Sequence, residues 1–204
     1  MRTILTILFI ASIDAGYSQT TLKNDLVFVP KLEFDSSGVL KIIPSKTSSK
    51  KDFDFFKGKW KLHNRVLKLG TDGTKTWTEF EATQEMNTIL QGIGNVDNFL
   101  AVREGKPFEG MTLRLFNPQT ELWSIYWADS KYGVLYLPPV VGSFENNVGH
   151  FFSQDNMNGK KVVTVYRWDA RDTEHPTWSQ ATSEDNGQHW EWNWYMYFTK
   201  TAKK

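Results

Sequence analysis

Three arginines, Arg65, Arg114 and Arg167, sit in alternating apolar and polar segments beside groups that can move protons. A guanidinium fork matches a carboxylate or sulfate bidentately, so two of them converging would define an anionic ligand. His63 lies two residues from Arg65, on the same side of an extended chain. Histidine as a residue type can serve as a general base or acid. Tyr126 offers a phenolic proton to a departing oxygen, while Glu191 and Asn193 are placed to orient His63 or to bind ligand hydroxyls. Trp123, Trp127 and Trp192 present flat rings that stack on the apolar faces of sugars. Together these residue types suit β-elimination. Arginine neutralises a carboxylate and acidifies the adjacent C–H, His63 or a tyrosine removes that proton, and Tyr126 protonates the leaving oxygen. The arginines then stabilise the developing enolate. Loss of water would make a dehydratase and loss of a sugar a lyase, with a uronic acid-bearing oligosaccharide as substrate. Each residue also has a plainer role: surface ion pairs with Glu79, Glu81 or Glu191, worth about 0–1 kcal/mol, a structural histidine, and tryptophans that only pack.

Other chemistry finds less support. The four histidines show no metal-ligand spacing and there is no cysteine, so we expect neither a metal nor another cofactor. No G-x-S-x-G, P-loop or dinucleotide fingerprint occurs, and "GIGN" in "LQGIGNVDNF" reads as a turn. Among the glutamates no pair suggests hydrolysis by two carboxylates. A net charge of +1, with Lys and Arg spread along the chain, argues against a nucleic-acid partner.

The elements that must hold these groups are strands. "KWKLHNRVLKL" ends at "GTDGTK", and "TWTEFEATQEM" leads to "QGIGN". "GMTLRLFN" turns through "NPQT" into "ELWSIYWA", and "GHFFSQD" turns through "NMNGK" into "VVTVYRWDA". "TWSQATS" turns through "EDNG" into "HWEWNWYMYFTK". Asn-Gly and Asp-Gly tolerate positive φ and favour hairpins. We therefore expect an all-β fold, an antiparallel up-and-down barrel of about eight to ten strands, closed so that no edge is exposed. Barrels of about eight strands enclose room for one small ligand. Residues 52–200 form this domain. Residues 19–51 are an N-terminal extension, with one possible strand in "LVFVPKLEF" and a linker in "PSKTSSKKD". Residues 1–18 read as a signal peptide: Arg2, an apolar run over residues 4–13 that is too short to span a membrane, then small residues. Asp14 departs from that pattern. The expected location is outside the cytoplasm, secreted or periplasmic, with no membrane span.

Alternation divides the sheet into two faces. Trp123, Ile125 and Trp127 point one way, and Ser124 and Tyr126 the other. A turn centred on Gln119 places Thr112 and Arg114 with Ser124 and Tyr126. In the last hairpin Trp178 and Gln180 share a face with Trp190, Trp192 and Trp194, opposite Glu191, Asn193, Tyr195 and Tyr197. Tyr166 goes with Trp168, away from Arg167. Which face lines the barrel stays open, because a one-residue slip or a bulge exchanges the two.

The run "DFDFFKGKWKLHNR", the segment "GMTLRLFNPQTELWSIYWADS" and the ending "WSQATSEDNGQHWEWNWYMYF" resemble a bacterial domain family of unknown function with a lipocalin-like (calycin) barrel, over roughly residues 52–199. That resemblance implies the fold and little about activity. A second similarity, to secreted dehydratases acting on ulvan-type oligosaccharides, rests on the residue inventory alone. Besides elimination, two functions stay open: a non-catalytic carrier of a small ligand, either an apolar molecule or haem, and a structural partner that uses the extension.

Overall fold

A computed structural model describes residues 27–157 and 159–201. The segment read as a signal peptide lies outside the described residues. Ten strands form a closed antiparallel barrel: β3 (Gly58–Leu69), β4 (Lys75–Ile89), β5 (Gly94–Arg103), β6 (Lys106–Asn117), β7 (Leu122–Asp129), β8 (Val140–Glu145), β9 (Val148–Met157), β10 (Lys160–Asp169), β11 (Thr177–Ser183) and β12 (Glu191–Lys200). Each pairs with its sequence neighbours, and β12 closes the ring on β3, as an up-and-down meander requires.

Two strands, β5 and β8, are not visible as strand signals in the sequence. In β5 the buried residues Asn95 and Asp97 are polar and sit in apolar positions, which disguises the alternation. β8 is short, follows Pro138 and Pro139, and contains Gly142.

The tryptophan face turns inward along β7. Trp123 is buried, and Ile125 and Trp127 border the lumen. Arg114 joins that face, contrary to the expected grouping, because it pairs with Ile125 and Thr112 pairs with Trp127. The β6–β7 loop has four residues, not three: Asn117 pairs with Leu122, and Glu121 takes φ 55°. A glutamate at a left-handed position gives no sequence warning of the extra residue.

The face also changes along β12. Gln180 pairs with Trp194 but Ala181 with Trp192, so Asn193 is the extra residue of a bulge. Trp194, Met196 and Phe198 therefore face the lumen. Trp190 and Trp192 turn out and pack with Phe152, Val163, Val165 and Ala181 on the outer surface.

The extension covers that outer patch. Leu32, Phe34, Leu40 and Ile42 pack on it, around a hairpin of β1 (Glu33–Phe34) and β2 (Leu40–Lys41). In the described part of the expected strand, residues 27–34, only the last two residues pair, and Pro30 lacks an amide donor. The Gln154 side chain holds the hairpin, accepting from Leu40 N (3.0 Å) and donating to Gly38 O (2.9 Å). The stretch read as a linker is a strap. Ser45 N donates to Ser143 Oγ, and Ser48 Oγ donates to Glu121 O. The strap leads residues 53–56 into the barrel end where β3 begins. There Phe53 and Phe56 are buried against Trp60, Trp123, Phe144, Phe151 and Phe198, closing that end.

Candidate functional site

Above this aromatic plug the lumen contains a cavity of about 390 Å³. Its walls are aromatic on most sides: Phe99, Trp127, Trp168, Trp178, Trp194 and Phe198, with Ile125, Val140 and Met196 between them. Several rings are fixed by polar partners. Trp127 Nε1 donates to Asp129 Oδ2 (3.1 Å), and Trp194 Nε1 donates to Asn64 Oδ1 (3.1 Å). Gly110 lets Trp127 lie flat on the wall, since a Cβ there would meet the indole at 2.1 Å.

The floor is a buried charge network. Arg114 forms an ion pair with Asp97 and donates to Asn95 Oδ1 (3.0 Å), while Asp97 also accepts from Gln84 Nε2 (2.6 Å). The Arg114 guanidinium lies 5.0 Å from the Phe53 ring and 5.5 Å from the Phe56 ring, so the plug receives it face-on. A polar strip runs across β9, β10 and β11 through Ser153, Asp155, Tyr166 and Gln180. Burial pushes the Tyr166 phenol above its ordinary pKa; a hydrogen bond with Ser153 opposes this and the negative charge of Asp155 reinforces it.

The mouth lies at the other end. β8 pairs with β7 only from Trp123 to Ile125, so the far half of β7 lacks a strand on that side. The loop 130–139 fills the gap. Tyr136 N donates to Trp127 O (2.9 Å), and Tyr136, Leu137 and Pro138 border the cavity. Tyr132, Val134, Leu135 and Leu137 are exposed on that loop.

Most of the residues selected from sequence do not meet here. His63 and Arg65 are on the outer surface, because β3 turns Trp60, Leu62 and Asn64 inward. His63 Nδ1 lies 2.7 Å from Glu81 Oε1, and Arg65 Nε lies 3.0 Å from Glu79 Oε1. Tyr126 alternates outward between Ile125 and Trp127. Arg167 is outside too, with Nη2 2.8 Å from Asp169 Oδ2, since Tyr166 and Trp168 take the inward positions. Glu191 is half-exposed and pairs with Lys75. Asn193 occupies the bulge and accepts from Gln180 Nε2 (3.0 Å). Trp192 stacks on Tyr195 outside, 6.1 Å between ring centroids. Trp123 points inward but belongs to the plug, where its Nε1 donates to Ser49 O and Asp52 Oδ2. Only Arg114 and Trp127 border the cavity.

The residues that sequence reasoning missed are Gln84, Asp97, Asp155, Tyr166, Trp178 and Trp194. The pairing of Tyr166 with Trp168, and of Trp178 with Gln180, was the usable signal. Asp97 follows closely on the stretch "QGIGN" read as a turn, and Asp155 lies at the end of a strand read as leading into one. Among the described residues no group of three or more His, Asp or Glu is placed to hold a metal.

No protein family and no curated protein matches this sequence. Among solved structures, the S-type phycobiliprotein lyase CPES from Guillardia theta is similar, with a TM-score of 0.54 at 8% identity, covering 78% of this chain and 96% of that one. At that identity the likeness establishes the lipocalin-like barrel and nothing finer. The calycin resemblance therefore holds for the fold, while no family model and no curated protein supports the uncharacterised family or the ulvan-type dehydratases.

Proposed function

We propose that this protein is a ligand-binding barrel that takes a small, flat, mainly apolar molecule through the mouth beneath the loop 130–139. The observation that carries this is the cavity of about 390 Å³ walled by tryptophan and phenylalanine, with its few polar groups gathered on one strip and at the floor. Its size and composition suit a small-molecule pocket. Elimination on a uronate oligosaccharide gains no support from the geometry: Arg65, Arg167, His63, Tyr126 and Glu191 lie off the lumen, and Arg114 is already neutralised by Asp97. Haem fits less well than an organic ligand, because the lining contains no histidine or cysteine and offers as axial donors Met196 and the phenols of Tyr136 and Tyr166. The similar solved structure is a lyase by name, so a reaction on the bound molecule stays within the proposal, with Tyr166 and Asp155 as its proton-handling groups in place of His63 and Tyr126. Export, guided by the N-terminal segment, belongs to the same proposal.

Titration with the neutral fluorophore N-phenyl-1-naphthylamine tests it. Saturable one-to-one binding is expected, weakened about tenfold or more by Trp178→Ala and unchanged by His63→Ala or Arg65→Ala. Absence of saturable binding, or loss on changing the outer residues alone, contradicts it.

A further inference from the structure

The charges around the cavity are unequal in their state. Arg114 is the one cation among the lining residues, and it is buried and bound by Asp97. Asp155, on β9 three strands round the barrel from β6 and nearer the mouth, has no such partner. Its Oδ2 accepts from Ser153 Oγ (3.1 Å), and among the described residues it forms no ion pair. Arg103, the remaining guanidinium near the lumen, belongs to β5, across the barrel from β9. It lies over the rings of Phe80, Phe108 and Trp194, 5.3, 5.4 and 5.8 Å from their centroids. A ligand entering past β9 therefore meets an uncompensated carboxylate. Tyr166 lies near enough to that carboxylate to feel its charge, Trp178 is 6.0 Å from Tyr166, and Trp194 follows 5.7 Å from Trp178. Ring faces carry negative potential and attract cations, more strongly once water is excluded.

Resting on the ligand-binding reading above, we propose that the molecule this cavity selects carries a positively charged nitrogen, an amine on an aromatic or alicyclic body. The nitrogen pairs with Asp155 against the faces of Tyr166 and Trp178, and the apolar body extends toward Trp127, Trp168 and Phe198. This reverses the charge expected from the arginines. An anionic ligand would bring its charge against Asp155 at the mouth and find the one lining guanidinium already engaged at the floor.

Three isosteres separate the possibilities by calorimetry at pH 7: 1-naphthylmethylamine, 1-naphthalenemethanol and 1-naphthoic acid. The amine is expected to bind about tenfold or more tighter than the alcohol, and the acid weakest. Asp155→Asn should remove the advantage of the amine over the alcohol. Asp155 is solvent-exposed, so this variant keeps its fold, which near-UV circular dichroism verifies. If the amine binds no tighter than the alcohol, or keeps its advantage in Asp155→Asn, the charge assignment is overturned while the cavity remains a binding site. If none of the three binds, the ligand-binding reading falls, and this inference with it.

Discussion

Arg114 brings a full charge into an aromatic lumen, and Asp97 makes that tolerable. Their side chains are only 4% and 0% exposed, so removing one partner strands the other away from water. Asp97→Asn is expected to cost about 3–5 kcal/mol in urea denaturation. Replacing both by apolar residues of similar volume should recover most of that loss. His150 gives a pH prediction. Burial lowers its pKa from 6.5 to about 4, against the hydrogen bond it forms with Phe28 O of the extension. Between those values the unfolded chain holds more protons than the folded one, so stability falls as pH drops through the window and is fully present above it. Thermal melts from pH 7 to 4 should show this slope, and His150→Gln should flatten it.

At the scale of elements, two local irregularities decide which groups reach the lumen. The four-residue β6–β7 turn brings Arg114 inward, and the bulge at Asn193 separates Trp192 from Trp194. Eight of the ten barrel strands and their hairpin order were legible because hydrophobic alternation and Asn-Gly or Asp-Gly turns record them directly, whereas β5 and β8 were not. Facing was not legible across these two points. A left-handed glutamate and an unpaired asparagine each shift the pattern by one residue without altering composition. Tyr166 and Trp168, with no irregularity between them, were grouped correctly. Gly110 shows how narrowly an element shapes the site. Gly110→Ala places a methyl at 2.1 Å from the Trp127 ring, so the indole must swing into the cavity. The expected result is a folded barrel whose affinity for N-phenyl-1-naphthylamine drops about tenfold or more; unchanged affinity would mean that Trp127 does not set the cavity's shape.

Taken whole, the molecule is a barrel plugged at one end by residues 53–56 and wrapped outside by the segment that leads there. The wrap hides Val163, Val165, Phe152 and Ala181 beneath Leu32, Phe34, Leu40 and Ile42. A chain beginning at residue 44 would expose this patch. Each large apolar side chain fully buried contributes about 1.5–3 kcal/mol, so the truncated protein should unfold at clearly lower denaturant and self-associate in sedimentation velocity. An unchanged midpoint would make the extension ornamental. The central claim is that the lumen, and not the outer aromatic strip of Trp77, Trp192 and Tyr195, receives the ligand. The most direct measurement is the set of tryptophan indole N–H resonances in a nitrogen-15 NMR titration with 1-naphthalenemethanol. Saturating shifts at Trp127, Trp178 and Trp194, with Trp77, Trp190 and Trp192 unmoved, are predicted. Shifts confined to Trp77, Trp190 and Trp192 would contradict the account.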